Sequence, residues 1–230
     1  MPQPLSPLQS YYAARAGEYD RVYAKPERQS DLRKIELWVA STLRGEEVLE
    51  VACGTGYWTQ FFAPTASSVL AIDSSPETLR IAAARVEGSK VEFEVGDAYS
   101  LPRRPSRFTA AFAGFWFSHV PLDRQSEFLL GLNAAVRPGA RVLLLDNLFV
   151  EGSSTPLSQR DAAGNSYQAR MLGDGSAHLV LKNFPSEAQL HALVASGIGS
   201  DARYTAWDYF WAFEYRAPRT SLSHPEPADT

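Results

Sequence analysis

The feature that most constrains the fold of this chain is a regular alternation of short apolar segments with amphipathic ones. The intervening stretches carry helix signals: Ser75-Pro76-Glu77 is typical of an N-cap, a first-turn proline and an acidic first turn. Parallel strands need such crossover helices, so the alternation predicts an α/β fold with a parallel sheet. The apolar segments, each as long as a buried strand, are Glu47–Val51, Val69–Ile72, Val91–Val95, Phe108–Phe112 and Arg141–Asp146.

The last third of the chain has a different pattern. An Asp-Gly pair at 174–175 separates two extended stretches and predicts a hairpin or a tight loop, and Ser186 with Gln189 forms a capping-box pattern that predicts a helix through Ser196. One last strand is expected near 203–216. Aromatic side chains on one face of that strand are expected either to pack on a helix or to stack on a ligand, and they are Trp207, Tyr209, Trp211, Phe213 and Tyr215.

Composition narrows the class of protein. The 230 residues suit one domain, and 22 Lys and Arg against 26 Asp and Glu lack the basic surplus of a protein that binds a phosphate backbone, so no nucleic-acid partner is expected. The lone cysteine cannot form an internal disulfide. No basic-then-apolar leader opens the chain, and no stretch approaches ~18 consecutive apolar residues. We therefore expect a cytoplasmic protein without a membrane partner.

The segment VLEVACGTGYWT, residues 48–59, is the most informative motif. It combines an apolar strand, a turn of small residues at 52–56 and the start of a helix. Small residues at such a turn let a ligand approach bare backbone, and the helix start offers N–H groups that have no partner within the helix. The motif predicts a nucleotide-like ligand, although dinucleotide-binding folds and simple tight turns use the same device.

Three acidic residues indicate the charge of this ligand. Glu50 lies at the end of the first strand, Asp73 at the end of the second and Asp97 after the third. A pyrophosphate site would avoid the negative charge of Glu50, and the glycine pattern of such a site is left incomplete by Thr59. A carboxylate at position 73 can accept hydrogen bonds from ribose hydroxyls, and one at 97 from an adenine amine. The set favours a positively charged nucleoside.

These residues resemble the class I S-adenosylmethionine-dependent methyltransferases, in particular the small-molecule group with a Glu/Asp-x-Gly-x-Gly-x-Gly turn. The resemblance spans Tyr11 to Asn147, and Ala52 stands where the family usually has its first glycine. It implies a Rossmann-like α/β fold with a seven-stranded, mostly parallel sheet, one antiparallel strand, helices on both faces and an N-terminal helical lid. The predicted organisation is a flexible tail 1–10, a single domain 11–217 with lid helices 11–45, cofactor-binding core 46–147 and acceptor-side region 148–217, and a flexible tail 218–230.

The resemblance also assigns parts of the cofactor to residues. It implies that Glu50 and the turn hold the methionine portion, Asp73 the ribose, and Asp97 with Ala98 the adenine. It also implies that Phe115 lies beside the cofactor and that a tyrosine of the lid lies near the carboxylate or the sulfonium. Plain packing of an amphipathic helix is the alternative for each tyrosine. The complete set implied for S-adenosylmethionine is Tyr12, Tyr19, Glu50, Ala52, Cys53, Gly54, Gly56, Asp73, Ser74, Asp97, Ala98 and Phe115.

The implied activity is methyl transfer by in-line displacement to oxygen or nitrogen of a small metabolite. His119, after the fourth strand, is the candidate general base, and a structural histidine that caps a turn is the alternative. Trp116, Asn147 and Tyr167, together with His119, are the candidate acceptor-binding residues. Cleavage or cyclisation of the cofactor itself, with release of methylthioadenosine, is the alternative chemistry.

No metal is expected. The Asp146-Asn147 pair matches part of a magnesium site in metal-dependent O-methyltransferases, but the preceding strand ends in Gly114–Phe117, which holds no carboxylate. Asp146 or Asn147 is therefore expected to contact the acceptor or to cap a loop. A monomer or a homodimer is expected.

Overall fold

Ten strands and five α-helices build the part of the chain that the structure describes. The structure is a computed structural model and describes residues 20, 22–86, 88, 90–102, 107–171 and 175–219. The strands are β1 Glu47–Val51, β2 Ser68–Asp73, β3 Val91–Val95, β4 Ala110–Gly114, β5 Arg141–Asn147, β6 Gln159–Arg160, β7 Ser166–Met171, β8 Ala177–Leu181, β9 Ser200–Ala206 and β10 Phe210–Arg216. The helices are α1 Gln29–Thr42, α2 Thr59–Phe62, α3 Pro76–Arg85, α4 Gln125–Ala135 and α5 Glu187–Leu193.

Seven strands form the main sheet in the order β3-β2-β1-β4-β5-β10-β9. The first five of these pair in parallel, and β10 is antiparallel to both of its neighbours. The predicted Rossmann-like sheet with an antiparallel strand is therefore confirmed. Because β1 to β4 run in the same direction, their carboxyl ends meet at one edge, where the predicted acidic residues lie.

Local sequence signals explain several element boundaries. The Ser75 hydroxyl accepts from the Thr78 N–H at the start of α3, and Ser186 and Gln189 form the complete capping box of α5. The predicted hairpin is also present, since β7 and β8 pair in antiparallel register, while Asp174 of the predicted Asp-Gly pair lies outside the described residues. These two strands and β6 form a second, three-stranded sheet.

Three predicted boundaries are wrong. The expected strand near 203–216 is two strands, β9 and β10, with a turn closed by a hydrogen bond from Trp207 N to Phe210 O. The fourth strand begins at Ala110 rather than Phe108, whose carbonyl instead accepts from Arg137 N. The helix expected through Ser196 ends earlier, and a π-helical turn over Val194–Ile198 follows it.

Both faces of the main sheet are covered. Phe128 of α4 and Leu190 of α5 are buried on one face, and Ile35 of α1 and Phe62 of α2 on the other. On β10, Trp211, Phe213 and Tyr215 are buried on the α4–α5 side, and the Tyr215 hydroxyl donates to Asn133 Oδ1 of α4 at 3.1 Å. These three rings therefore pack against helices. Within the described residues, no helix has the length and apolar character needed to cross a bilayer.

Gly199 gives a test of the packing between the π-helical turn and β10. A Cβ at this position would lie 2.6 Å from the Arg216 carbonyl oxygen and still closer to the Tyr215 ring. We expect Gly199→Ala to reduce the free energy of unfolding by about 2 to 3 kcal/mol, because the contact is overpacked against backbone. Urea denaturation measures this.

The matched control is Gly131→Ala in α4, where a Cβ would meet nothing within 4 Å. There the free energy of unfolding should rise by about 0.5 to 1 kcal/mol, because alanine restricts the unfolded chain and favours helix. Equal effects of the two substitutions would contradict this account of the packing.

Candidate functional site

The turn between β1 and α2 has an unusual backbone. Ala52, Gly54 and Gly56 have φ angles of 56°, 56° and 72°, all in the left-handed region. A non-glycine residue there costs roughly 1 to 2 kcal/mol, so Ala52 is strained. A Cβ at Gly56 would lie 3.0 Å from the Cβ of Ala82 in α3, which explains why this position has no side chain. The strained turn brings its backbone N–H groups to the edge of the sheet.

Glu50 lies at the end of β1 beneath this turn. Its side chain is 2% exposed, and its Oε2 accepts a hydrogen bond from Thr59 Oγ1 at 2.6 Å. Burial raises the pKa of Glu50 from 4.5 to about 8, and the nearby charge of Asp73 adds to the rise. A cation placed beside Glu50 would reverse this effect.

Asp73 ends the neighbouring strand β2. Its carboxylate accepts from Gly54 N and Ser75 N, both at 2.9 Å, and from Thr78 Oγ1 at 3.1 Å. Burial still raises the pKa of Asp73, although these hydrogen bonds oppose the rise. Among the described residues, no Lys or Arg side chain forms an ion pair with Glu50 or Asp73. A buried and a half-buried acidic side chain that interact electrostatically, without a cationic partner among the described residues, fit a cationic ligand.

The remaining polar residues of the predicted nucleoside site lie along the same edge. Asp97 follows β3, is exposed, and accepts from Tyr99 N at 2.9 Å through its Oδ1. Ser74 and Ala98 are half-buried. Cys53 is buried inside the turn, and burial raises the pKa of its thiol, which suits a small packing residue rather than a nucleophile.

A cluster of aromatic rings lies beside the turn. The Tyr23 ring stacks on Tyr57 and Phe115, with centroids 3.5 and 5.4 Å apart, and Phe115 stacks on Phe210 of β10 at 5.7 Å. Trp58 meets Phe115 edge-on at 5.7 Å. We call these five residues the aromatic cluster. Phe115 has a φ of 59°, so its ring is held there at the expense of backbone strain.

The N-terminal segment reaches the turn through Asp20. Thr55 Oγ1 donates to Asp20 Oδ1 at 2.7 Å, and Arg85 of α3 forms an ion pair with the same carboxylate while donating to the Thr55 carbonyl at 2.9 Å. The predicted contacts of Tyr12 and Tyr19 lie outside the described residues.

A cavity of about 300 Å³ opens at the carboxyl end of β5. Asn147, a predicted acceptor-binding residue, is in its wall, and its Oδ1 is buried without a hydrogen-bond partner among the described residues. Of the described residues that line the cavity, none is a carboxylate and four are cationic, namely Lys25, Arg28, Arg170 and Lys182. Sequence reasoning missed these four. The only local signal is Lys182, a charged residue directly after the alternating segment of β8.

The other three predicted acceptor residues do not line this cavity. His119 is 5% exposed, and its Nδ1 lies 2.6 Å from the carbonyl oxygen of Leu181, so Nδ1 carries the proton of that hydrogen bond. Trp116 is half-buried, 6.4 Å from the His119 ring. Tyr167 donates its hydroxyl to Asp161 Oδ2 at 2.9 Å.

Asp146 does not contact the cavity directly. It forms an ion pair with Lys182 at 2.8 Å and accepts from Ser118 N and Asn147 N at 3.0 and 2.8 Å. Its oxygens therefore hold Lys182 and the turn after β4. Within the described part of the chain, no group of three or more His, Cys, Asp or Glu side chains is arranged to hold a metal ion.

Comparison with known proteins shows which proteins this chain resembles. Residues 48–139 match the family model described as a methyltransferase domain. Among solved structures, the DhpI-SAM-HEP complex is 30% identical, covers 92% of this chain and 99% of its own with a TM-score of 0.72, and the DhpI-SAH complex is 29% identical with coverages of 93% and 97% and a TM-score of 0.75.

Curated relatives match a shorter part of the chain. A demethylmenaquinone methyltransferase of Clavibacter sepedonicus is 29% identical over 56% of this chain and 56% of its own length. A malonyl-[acyl-carrier protein] O-methyltransferase of Serratia marcescens is 28% identical over 58% of this chain and 50% of its own. The chain thus spans about half the length of the curated relatives it matches.

The buried carboxylate of Glu50 predicts a specific dependence of stability on pH. The folded protein keeps the Glu50 proton to about pH 8, whereas the unfolded chain releases it near 4.5. This stabilisation is complete below pH 4.5 and is lost as the pH rises through 8, with an upper limit of roughly 5 kcal/mol. Glu50→Gln should therefore lose less free energy of unfolding than the wild type between pH 5 and pH 9, as measured by urea denaturation.

The exposed residue Glu151 provides the control, because Glu151→Gln removes the same charge without removing a buried one. This variant should follow the wild-type pH dependence. If Glu50→Gln also followed it, Glu50 would not be the buried acid that the structure shows.

Proposed function

Because this chain belongs to the class I S-adenosylmethionine-dependent methyltransferases, we propose that it transfers the methyl group of that cofactor to an oxygen or nitrogen atom of a small-molecule acceptor. The observation that carries the proposal is a pair of acidic side chains, the buried Glu50 and the half-buried Asp73, which have no cationic partner among the described residues and lie beside a left-handed turn. A cationic nucleoside supplies the missing charge.

The proposed cofactor contacts follow from the positions of the side chains. Glu50 and the turn at 52–56 would hold the methionine portion, and Asp73 with Ser74 the ribose. Asp97 and Ala98 would meet the adenine, since Asp97 lies at the next strand end and is exposed to a ligand. The hydrogen bonds that Asp73 accepts from Gly54 and Thr78 fix the direction of its carboxylate before a ligand arrives.

When bound, the cofactor supplies a sulfonium methyl group that is already activated for transfer, so the protein needs few catalytic side chains. Its tasks are to align the acceptor, to exclude water and to stabilise positive charge. The aromatic cluster suits the last two tasks, because stacked rings displace water and the faces of Tyr and Phe attract cations. Phe115 is the member that joins the turn side to Phe210 of β10, whose register partner on β5 is Asn147 at the cavity.

Incubation with methyl-labelled S-adenosylmethionine and a metabolite extract tests this function. We expect label in a small product, and we expect calorimetry to detect S-adenosylmethionine and S-adenosylhomocysteine but not NADH, because the acidic strand ends disfavour phosphates. Methylthioadenosine above the spontaneous background in the absence of extract would instead indicate cleavage or cyclisation of the cofactor. Neither product, or tight NADH binding alone, would contradict the proposal.

Gly56→Ala is the matched variant for this test. Its Cβ would press on Ala82 and shift the turn, so we expect at least tenfold weaker binding of S-adenosylhomocysteine. Gly88→Ala is the control, because Gly88 also has a positive φ, of 123°, but a Cβ there meets nothing within 4 Å. The control should keep the wild-type affinity.

We also propose His119 as the general base for an acceptor that reacts through a protonated hydroxyl or amine. Its Nδ1 proton is used by the Leu181 carbonyl, which leaves Nε2 as the basic atom of the neutral ring. His119→Gln should then lower kcat by ~10²-fold or more for such an acceptor. An unchanged kcat with a lower melting temperature would assign the residue to the structural role.

A further inference from the structure

The cavity at the end of β5 collects positive charge from separate parts of the chain. Lys25 and Arg28 come from the segment before α1, Arg170 from β7 and Lys182 from the residue after β8. Two carboxylates contact this wall without lining it: Asp146 pairs with Lys182, and the exposed Glu27 accepts from Ser153 Oγ at 2.6 Å. Of the described residues that line the cavity, four are cationic and none is a carboxylate.

Arg28 is one of the two cations of this wall that are almost fully buried. It is 3% exposed, yet no ion pair to it is present among the described residues. Its Nε donates to Ser153 Oγ at 3.0 Å, and its guanidinium carbon lies 5.5 and 5.8 Å from the ring centroids of Tyr209 and Phe210. The guanidinium is therefore held in place before any ligand binds, and burial lowers its pKa although the nearby charge of Glu27 opposes this shift.

The other cations are also fixed by the fold. Lys182 donates to Asp146 Oδ1 at 2.8 Å and to Ser118 Oγ at 2.5 Å, and Arg170 donates to Gln168 Oε1 at 2.8 Å. The pKa of Lys182 is lowered by burial, and the charges of Arg170 and Arg28 oppose the pull of Asp146. Repulsion among Lys182, Arg170 and Arg28 costs free energy, and a bound anion would remove that cost.

The wall also offers an acceptor. Asn147 Oδ1 is buried and has no partner among the described residues, so it can take a hydrogen bond from an O–H or N–H group of a ligand. The cavity is thus suited to a small molecule with an anionic end and a hydrogen-bond donor. Guanidinium groups bind multi-oxygen anions through two parallel N–H donors, which lysine alone cannot do.

We propose that this cavity binds the acceptor of the methyl transfer through an oxyanion, either a carboxylate or a tetrahedral group of the phosphate type. The inference rests on the proposed function, because it identifies the cavity as the acceptor subsite. Arg28 and Arg170 would bind the oxyanion directly, Lys25 and Lys182 would add charge, and Asn147 would orient the rest of the molecule.

Probe anions test the subsite without knowledge of the natural acceptor. The full-length protein, saturated with S-adenosylhomocysteine, is titrated with inorganic phosphate or acetate at ionic strength held constant with sodium chloride, and its melting temperature is followed. We expect a saturable rise with at least one anion. Trimethyl phosphate and acetamide, the uncharged counterparts, should give none.

Arg170→Gln is the test variant, because Arg170 is half-buried on a strand of the smaller sheet. Its titration midpoint should be at least fivefold higher than that of the wild type. Arg28→Gln should have the same effect, and it provides a second reading if one variant fails to fold. Arg44→Gln, which removes an exposed cation after α1, is the control and should keep the wild-type midpoint.

The outcomes separate the two possible anions and the two proposals. Saturation with phosphate alone indicates a tetrahedral group, and saturation with acetate alone a carboxylate. No saturable effect, or equal midpoints in all variants, would overturn the oxyanion subsite while leaving methyl transfer intact. If calorimetry detected no binding of S-adenosylhomocysteine to the wild type, that result would instead contradict the proposed function. Among labelled products, methylation confined to uncharged acceptors would also overturn the subsite.

Discussion

The interaction on which the site depends is that of two acidic side chains at neighbouring strand ends, the buried Glu50 and the half-buried Asp73, which have no cationic partner among the described residues. Parallel pairing of β1 with β2 brings both to the carboxyl edge of the sheet, where Glu50 lies opposite Ala71, two residues before Asp73. The fold partly compensates Asp73 with the Gly54 N–H, and this bond needs the left-handed turn. The protein therefore carries both electrostatic and backbone strain at the place where we propose that the cofactor binds.

The same edge of the sheet holds an opposite charge only two strands away. In the sheet, β4 lies between β1 and β5. The wall of the cavity at the end of β5 includes the cationic side chains of Lys182 and Arg28. The aromatic cluster contacts both regions, since Phe115 follows β4 and its partner Phe210 lies under the Arg28 guanidinium. Because the rings of the aromatic cluster exclude water, they lower the local dielectric constant and strengthen the electric fields of the acidic and basic groups on either side. An edge divided in this way suits one cationic and one anionic ligand.

Local sequence patterns predicted most of the fold and the acidic half of the site. Strands β1 and β3 have the predicted bounds, and the caps at Ser75 and Ser186 form because their signals involve neighbours along the chain. The motif from Glu50 to Gly56 is also contiguous. The turn that splits the last strand escaped prediction, because the aromatic alternation of β10 extends back through Trp207 and Tyr209, which lie in the turn.

The basic half of the site could not be predicted in the same way. Lys25, Arg28, Arg170 and Lys182 lie up to 157 residues apart, and each looks like an ordinary surface residue in its own segment. They meet only because the smaller sheet docks beside β5, where Asn183 N donates to the Ser118 carbonyl and Asp146 holds Lys182. Convergence of this kind depends on tertiary packing, which no local pattern records.

Whether the reacting atom of the acceptor carries a proton decides whether the proposed base His119 has a catalytic task. An oxyanion oxygen that is itself methylated carries no proton, so alignment beside the aromatic cluster suffices and a general base has no task. A hydroxyl or amine on the same anionic molecule must lose a proton, and then a base such as His119 is needed. A loss of kcat in His119→Gln would therefore identify a reacting hydroxyl or amine, whereas an unchanged kcat fits both an oxyanion oxygen and the structural role of His119. Since Asn147 Oδ1 can accept from an O–H or N–H, the cavity is built to orient a molecule that has both kinds of group.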